Sequence, residues 1–197
     1  MATYTKAFED AVSHAMLYEV GGFWNVDHPA VDQGLIDTVA NRKAVGYVND
    51  PYDRGGETKF GVAKNANPDL DITNLTWDQA KAVYYVRYWL ASKSEQFSPR
   101  VGVLHFDGAV NHGIKRANMF LQRAVGVNPD GAIGPVTIAK VSSANAITLC
   151  NSIASQREQF YRDIAARNPT QVRYLAGWLR RIAEMRAFTT DPNSTFS

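Results

Sequence analysis

Residues 4–22 read Tyr-Thr-Lys-Ala-Phe-Glu-Asp-Ala-Val-Ser-His-Ala-Met-Leu-Tyr-Glu-Val-Gly-Gly, and this stretch decides how the chain begins to fold. Its apolar side chains recur at spacings of three and four residues, which is the period of an amphipathic helix. The pair Gly21 and Gly22 predicts where that helix ends, because glycine accepts the left-handed conformation that closes helices. Glu19 lies on the apolar stripe, where a lone carboxylate is rarely buried unless it is paired or functional.

The position of Glu19 suits a carboxyl that works as a general acid. Burial beside Tyr18, Phe23 and Trp24 and the negative end of a helix dipole each disfavour negative charge. A carboxyl that keeps its proton can protonate a glycosidic oxygen. From the pattern alone, an outward-pointing side chain, or one paired with an arginine, is an equally good interpretation.

A second group of polar residues follows in the stretch 47–61, which is rich in glycine and aspartate. Asp50, Asp53 and Thr58 supply carboxylates and a hydroxyl, and the glycines among them let the backbone approach a bulky substrate. Asp50 and Asp53 could instead bind a cation, but their spacing is not that of a calcium-binding loop. We therefore predict neither a metal nor another cofactor.

The rest of the chain predicts a mainly α protein. Residues 23–65 show no lasting helical period and are interpreted as loops plus a short hairpin around 47–62. Thr76 and Gln79 have the spacing of a capping box, which opens a helix to about residue 91. Further helices are predicted over residues 100–112, 115–125, from 135 onward, 145–167 and 170–188. We expect two domains, 1–91 and 92–188, and a flexible tail at 189–197.

Charge is divided unevenly along the chain. Residues 1–95 hold 9 Lys and Arg against 13 Asp and Glu (net −4), and residues 96–197 hold 12 against 6 (net +6). A basic half is typical of proteins that meet an anionic partner, such as nucleic acid, a membrane surface or a bacterial envelope, although an ordinary solvated surface has the same composition. Cys150, the single cysteine, is predicted to be core, which fits a reducing compartment. No signal-peptide pattern or membrane-spanning apolar run is found.

Six short motifs occur in one order along the chain. The first half contains Glu-Val-Gly-Gly at 19–22, Asn-Asp-Pro at 49–51 and Asp-Arg-Gly-Gly-Glu-Thr-Lys-Phe-Gly at 53–61. The second half contains Phe-Asp-Gly-Ala-Val-Asn-His-Gly at 106–113, Leu-Gln-Arg-Ala-Val-Gly at 121–126 and Asp-Gly-Ala-Ile-Gly-Pro-Val-Thr at 130–137. Together they resemble glycoside hydrolase family 108, the N-acetylmuramidases of phage endolysins and related bacterial muramidases. The resemblance covers about residues 5–185, and the last motif resembles architecture of small peptidoglycan-binding modules.

This resemblance implies a lysozyme-like, two-lobed fold with a small loop or hairpin region, a helical lobe and a saccharide cleft. It also implies hydrolysis of the β-1,4 bond between N-acetylmuramic acid and N-acetylglucosamine. The family's catalytic glutamate falls on Glu19. The wider lysozyme pattern assigns Asp53 and Thr58 as further catalytic groups, with Asp50 as the alternative to Asp53. Such groups position water or stabilise an oxocarbenium-like transition state.

The sequence departs from the family pattern in two places. Val20 is inserted within the usual Glu-Gly-Gly, and residues 23–46 are extra where the family passes almost directly to Asn-Asp-Pro. We expect this insertion to reshape the cleft wall beside Glu19.

Four residues farther along are predicted to bind substrate. Asp107 and Asn111 share one helical face and could bind sugar hydroxyls or an acetamido group; an Asp–Asn pair that caps a loop is the equally good alternative. Tyr84 and Tyr88 are predicted stacking platforms for sugar rings, although aromatics at helical spacing are usually core. His112 precedes a glycine and is expected to act as a cap.

Bacterial peptidoglycan is the partner that these features predict, and a muramidase is the leading function. A lytic transglycosylase and a non-catalytic peptidoglycan-binding or secretion-accessory protein are the alternatives. We expect no nucleic-acid partner and no stable membrane insertion, since the arginines of the last helix flank a core stripe. We expect a monomer, made in the host cytoplasm and released by a holin or an export system, that acts on the cell wall in the periplasm.

Overall fold

The structure, a computed structural model, describes residues 3–22, 24–50 and 56–194. The chain divides into two compact units. The first comprises Met1–Tyr4 and Val12–Arg87, and the second comprises Thr5–Ala11 and Tyr88–Ser197. This division differs from the expected 1–91 and 92–188 chiefly because the second unit takes the first half of the opening helix.

That opening helix, α1, spans Lys6–Glu19 and confirms the amphipathic pattern. Its apolar stripe is fully buried: Phe8, Ala11, Val12, Ala15 and Met16 have no exposed surface. Burial of such a stripe, rather than helix propensity, supplies most of the stability of a helix of this length.

The insertion after α1 contains two short helices where the sequence predicted only loops. Helix α2 spans Pro29–Gln33 and α3 spans Val39–Ala44. The His28 ring accepts a hydrogen bond from the backbone at the start of α2, and the Thr38 hydroxyl does so at the start of α3. The expectation was wrong because each helix has little more than one turn, too short for a hydrophobic period to show.

A small antiparallel hairpin follows, as predicted. Strand β1, Thr58–Lys59, pairs with β2, Val62–Ala63, and Thr58 lies opposite Ala63. An isolated bridge between Val48 and Thr58 adds a third stretch of extended chain.

Helix α4 spans Trp77–Tyr84 and begins with the predicted capping box. The Thr76 side chain accepts from the Gln79 backbone, and the Gln79 side chain accepts from the Thr76 backbone. The helix then continues as a π-helical turn, Tyr85–Leu90.

The second unit is helical. Its helices are α5 (Pro99–His112), α6 (Ile114–Ala124), α7 (Pro135–Ser143), α8 (Ala146–Arg167) and α9 (Val172–Thr190). Helix α8 packs against α5, α6 and α9. Cys150 is fully buried in α8, as predicted for a core residue, and burial raises the pKa of its thiol to about 11.

The predicted start of the flexible tail, residue 189, lies before the end of the last helix. Helix α9 continues to Thr190, and the Thr189 side chain is fully buried. Arg100 donates hydrogen bonds to the carbonyl oxygens of Thr189 (3.0 Å) and Asp191 (2.7 Å). These bonds satisfy carbonyls that a helix C-terminus leaves without partners, and they hold the end of α9 in place.

Candidate functional site

Glu19 is the last residue of α1, and the chain turns sharply after it. The Gly22 N–H donates to the Leu17 carbonyl at 2.8 Å, and both Gly21 and Gly22 have positive φ, which fits the predicted glycine cap;. The Glu19 side chain is partly buried. Glu19 is thereby held at the helix end, with part of the residue exposed.

The turn of the β1–β2 hairpin contacts Glu19. At this turn, Gly61 has a φ of +70°, and a methyl group there would lie 3.2 Å from Glu19 Cβ and would overlap the Tyr84 hydroxyl. That hydroxyl donates to the Phe60 carbonyl at 3.0 Å. Only a glycine therefore lets the hairpin, Glu19 and Tyr84 approach this closely.

Tyr84 consequently has a different role from the one predicted. Its side chain is 3% exposed and its hydroxyl is bonded to the hairpin backbone, so no face is open for a sugar ring. The prediction was wrong because the ring faces the core, and the hydroxyl fixes the hairpin turn against Glu19.

The three candidates for the second catalytic group have different outcomes. Thr58 lies on β1 and is partly buried. Its backbone N–H and carbonyl both form hydrogen bonds with the Val48 backbone. Its hydroxyl donates a long hydrogen bond, 3.4 Å, to the Gly56 carbonyl. Asp50 is exposed, two residues beyond the Val48 bridge. Asp53 lies outside the described residues, and its role stays a prediction.

Lys59, a residue of β1, connects the hairpin to two other segments of the first unit, a role that the sequence did not indicate. Its side chain is fully buried, and its ammonium donates to the carbonyl oxygens of Gly34 (2.6 Å) and Thr73 (2.8 Å). Burial lowers the pKa of Lys59, while the charges of Glu57 and Asp71 act in the opposite direction. The insertion that contains α2 is thus tied to the hairpin beside Glu19.

Glu57 reinforces the same hairpin. One of its carboxylate oxygens accepts hydrogen bonds from the Tyr47 hydroxyl (2.8 Å) and the Thr73 hydroxyl (2.6 Å). Burial and the bond to Glu57 raise the pKa of Tyr47. No sequence pattern distinguishes these positions from solvated loop residues, because the partners are brought together only by the fold.

Val20, which the sequence predicts to be an insertion, packs against a glycine. Val20 is 5% exposed, and a methyl group on Gly46, whose φ is +60°, would lie 2.7 Å from its Cγ1. Val20 is therefore a packed residue of the first unit, directly after Glu19.

Asp107 is a structural residue and not a sugar ligand, which corrects the prediction. Its carboxylate has no exposed surface and lies 2.6 Å from Arg157 Nη2 and 2.8 Å from Arg181 Nη2. Burial alone raises the pKa of this carboxyl, but the charges of Arg181 and Arg157 outweigh that effect and hold it well below its ordinary value. A carboxylate that is enclosed in this way cannot reach a saccharide.

Asn111 and Tyr88 complete the predicted set. The side-chain oxygen of Asn111 accepts a hydrogen bond from the Tyr161 hydroxyl within the second unit. Tyr88 lies in the π-helical turn and is partly buried. Their contact with substrate stays a prediction.

The last two motifs of the sequence build a turn, as expected for architecture. Gln122 is buried; its amide nitrogen donates to the Asp130 carboxylate (2.7 Å), and its amide oxygen accepts from the Gly131 N–H (2.8 Å). Gln122 of one motif therefore fixes the Asp130-Gly131 turn of the next motif through two hydrogen bonds.

Two kinds of feature are absent from residues 3–22, 24–50 and 56–194. Among these residues, no group of three or more His, Cys, Asp and Glu side chains could hold a metal ion. Within the same residues, no helix is both long and apolar enough to cross a membrane.

A partly buried glutamate at a helix end, packed against the turn of a short hairpin in a mainly helical chain, is the arrangement of a lysozyme-like glycoside hydrolase. Comparison with known families agrees. Residues 36–113 match the family model described as glycosyl hydrolase 108, and residues 116–183 match one described as a predicted peptidoglycan domain. The chain is thus a glycoside hydrolase, in which a segment similar to glycosyl hydrolase 108 precedes a segment similar to a peptidoglycan domain. Glu19 precedes the first matched segment.

A solved structure supports the same fold. SagA of Brucella abortus is 27% identical, with a TM-score of 0.61, over 74% of this chain and 88% of the SagA chain. The sequence search among curated proteins gave no match. The mainly α, lysozyme-like fold with a small hairpin is therefore confirmed.

Proposed function

We propose that this protein is a muramidase that hydrolyses the β-1,4 bond between N-acetylmuramic acid and N-acetylglucosamine, with Glu19 as the general acid. The packing of Glu19 against the hairpin turn at Gly61 is the observation that carries this proposal. Glu19 precedes the glycosyl hydrolase 108 segment, but the hairpin against which it packs lies within that segment, in a chain that continues into a peptidoglycan domain.

In this mechanism, Glu19 protonates the glycosidic oxygen as the bond to the leaving sugar breaks. A second group then positions the attacking water or stabilises the oxocarbenium-like transition state. Asp53 with Thr58 is our first assignment for that role, and Asp50 is the alternative to Asp53. The bridge between Val48 and Thr58 supports it, because it brings the segment before Asp50 to the hairpin that contacts Glu19.

The biological setting that we propose is that of a phage endolysin. A monomer of this kind would be released from the host cytoplasm by a holin or an export system, and would lyse the host by degrading its wall from the periplasm. The match of residues 116–183 to a peptidoglycan domain supports the cell wall as the site of action.

Mass spectrometry of digested, purified murein tests the reaction. We expect muropeptides whose muramic acid ends carry the added water of hydrolysis. Products lighter by one water, which contain an anhydro sugar, would instead identify a lytic transglycosylase. Binding to murein without any soluble product would identify a non-catalytic wall-binding protein.

Gly61→Ala tests the contact between the hairpin turn and Glu19. We expect it to destabilise the fold by about 1–3 kcal/mol, since a side chain at positive φ is strained. We also expect murein clearing to fall about 100-fold, because a displaced hairpin misplaces the acid. Thermal unfolding and turbidity loss measure the two effects.

Gly126→Ala is the matched control for Gly61→Ala. Gly126 has nearly the same φ, +69°, but a methyl group there meets nothing within 4 Å. This variant should lose stability from backbone strain alone, as measured by thermal unfolding, and it should clear murein at the wild-type rate. Equal activity in the two variants would mean that the close approach at Gly61 has no catalytic importance.

A further inference from the structure

The second unit contains a pocket of about 930 Å³ that the glycosidase chemistry does not use. It is lined by the end of α5, by α6 and by α8. All of its lining residues belong to the second unit, and most lie in the 116–183 segment that matches the peptidoglycan domain.

The charge around this pocket favours an anion. Four basic side chains line it (Lys115, Arg116, Arg123 and Arg167) against one carboxylate, Asp163. Within the described part of the chain, none of the four forms an ion pair. Helix α6 also begins at the pocket without a side-chain cap, so its positive dipole end adds to the field;.

Buried arginine charge lies in the same unit as the pocket. Arg157 and Arg181 both pair with the buried carboxylate of Asp107. The charge of Arg157 acts on the pocket lining: after burial, which is the largest cause, it is the next cause that lowers the pKa of His112, to about 2.

The His112 ring has buried nitrogens without a hydrogen-bond partner in the described part of the chain. Neither ring nitrogen forms a hydrogen bond among the described residues, so His112 is not the cap that the sequence predicted. The side-chain oxygen of Gln156, also in the pocket lining, is buried without a partner as well. Buried polar atoms of this kind are costly to the fold and are expected to bond to something that is bound there.

The pocket also offers an oriented cation over an aromatic ring. The Arg116 guanidinium lies 4.3 Å from the centroid of the Phe160 ring, which restricts the long side chain and leaves its planar donors available;. A guanidinium presents paired N–H groups that match a carboxylate.

We propose that this pocket binds a free carboxylate of a peptidoglycan stem peptide, with Arg116 as the charged contact and His112 and Gln156 bonding neighbouring amide groups. This inference rests on the proposed function, because it names a second contact with the same polymer. A stem peptide fits the pocket better than a bare phosphate does: it brings carboxylates for the basic rim and amides for the neutral, unpartnered His112 and Gln156.

Calorimetric titration with the free tripeptide L-alanyl-γ-D-glutamyl-meso-diaminopimelate tests the proposal on the full chain. This probe has no glycosidic bond, so its binding does not depend on whether Glu19 is a catalytic acid. We expect one site per chain. We expect at least about tenfold weaker binding when the carboxylates are amidated, as for the loss of one charge-assisted hydrogen bond.

Arg116→Gln is the variant that removes the charged contact, and it should weaken tripeptide binding by about tenfold. Arg173→Gln is its matched control, because Arg173 also stacks on an aromatic ring, Tyr174 at 4.8 Å, but lies outside the pocket. The control should bind like the wild type. Both side chains are exposed, so both variants should fold.

His112→Phe separates a binding role from a structural one. Removing two unpartnered buried nitrogens should leave the melting temperature unchanged or higher, while tripeptide binding weakens. Three results would overturn the proposal: no binding by the folded wild type, equal binding of the amidated peptide, or inorganic phosphate binding as tightly as the tripeptide. If the wild-type protein binds the tripeptide but does not hydrolyse murein, only the muramidase function is overturned.

Discussion

Glu19→Gln is expected to abolish murein clearing, with a loss of about 1000-fold or more, while the fold stays intact. Glutamine has the shape of the glutamate side chain but cannot donate an acidic proton, and general acid catalysis contributes about 10²–10⁴ to such rates. The Glu19 atoms that lie nearest the Gly61 position are Cβ and Cγ, which the substitution keeps. Initial rates of turbidity loss, measured beside the thermal unfolding curve, give both quantities.

Glu9→Gln is the control for this loss. It makes the same chemical change on the same helix, α1, ten residues before Glu19 in the chain. The control should clear murein at the wild-type rate. If Glu19→Gln still clears murein within about tenfold of the wild type, Glu19 is not the general acid, and the proton comes from another group.

Asp107→Asn is expected to produce the largest loss of stability, about 3–5 kcal/mol. The variant removes the carboxylate charge with which the buried guanidinium groups of Arg157 and Arg181 both pair, and breaking a buried pair in this way is strongly destabilising;. For a chain of this length, such a loss lowers the melting temperature by about 10 °C. Calorimetry or circular dichroism measures it.

Asp78→Asn is the exposed counterpart. Asp78 pairs with Lys81 at 3.0 Å, but its side chain is 55% exposed, and such surface pairs contribute about 0–1 kcal/mol;. Asp107, Arg157 and Arg181 together form a buried triad. An equally small change in the free energy of unfolding in both variants would show that this triad does not stabilise the second unit. Replacement of all three triad members by apolar residues of similar volume should recover much of the loss.

The pH dependence of stability gives a second view of the triad. The folded pKa of Asp107 is lowered, so its contribution is present above the unfolded value of about 3.9 and is lost as the pH falls below it;. Burial lowers the pKa of His105 to about 4, so the folded protein also loses stability as the pH falls from about 6.5 toward 4;. When the free energy of unfolding is measured against pH, Asp107→Asn should lack the loss of stability that Asp107 causes below about pH 3.9;.

Much of the secondary structure follows from local patterns. Helix α1 ends where the glycine pair predicted, and the capping box of α4 is formed as the spacing of Thr76 and Gln79 indicated. The short helices α2 and α3 were missed because periodicity needs more than one turn to show. Their caps, His28 and Thr38, were the signal that the sequence did contain.

The assignment of side-chain roles was less reliable. Asp107 and Tyr84 were predicted to contact sugar, and both are buried in contacts with residues far away in sequence. A helical face seen in a sequence shows which residues share a side. It does not show whether that side meets substrate or a neighbouring helix.

The sequence by itself determined the class of fold, the place of Glu19 at a helix end, the following hairpin and the resemblance to a family, because these depend on local spacing and on the order of motifs. Only the tertiary structure decided which charges neutralise one another, that a glycine at 61 is needed beside Glu19, and that the ring nitrogens of His112 have no hydrogen-bond partner among the described residues. These depend on distances between residues far apart in the chain, which local patterns do not encode.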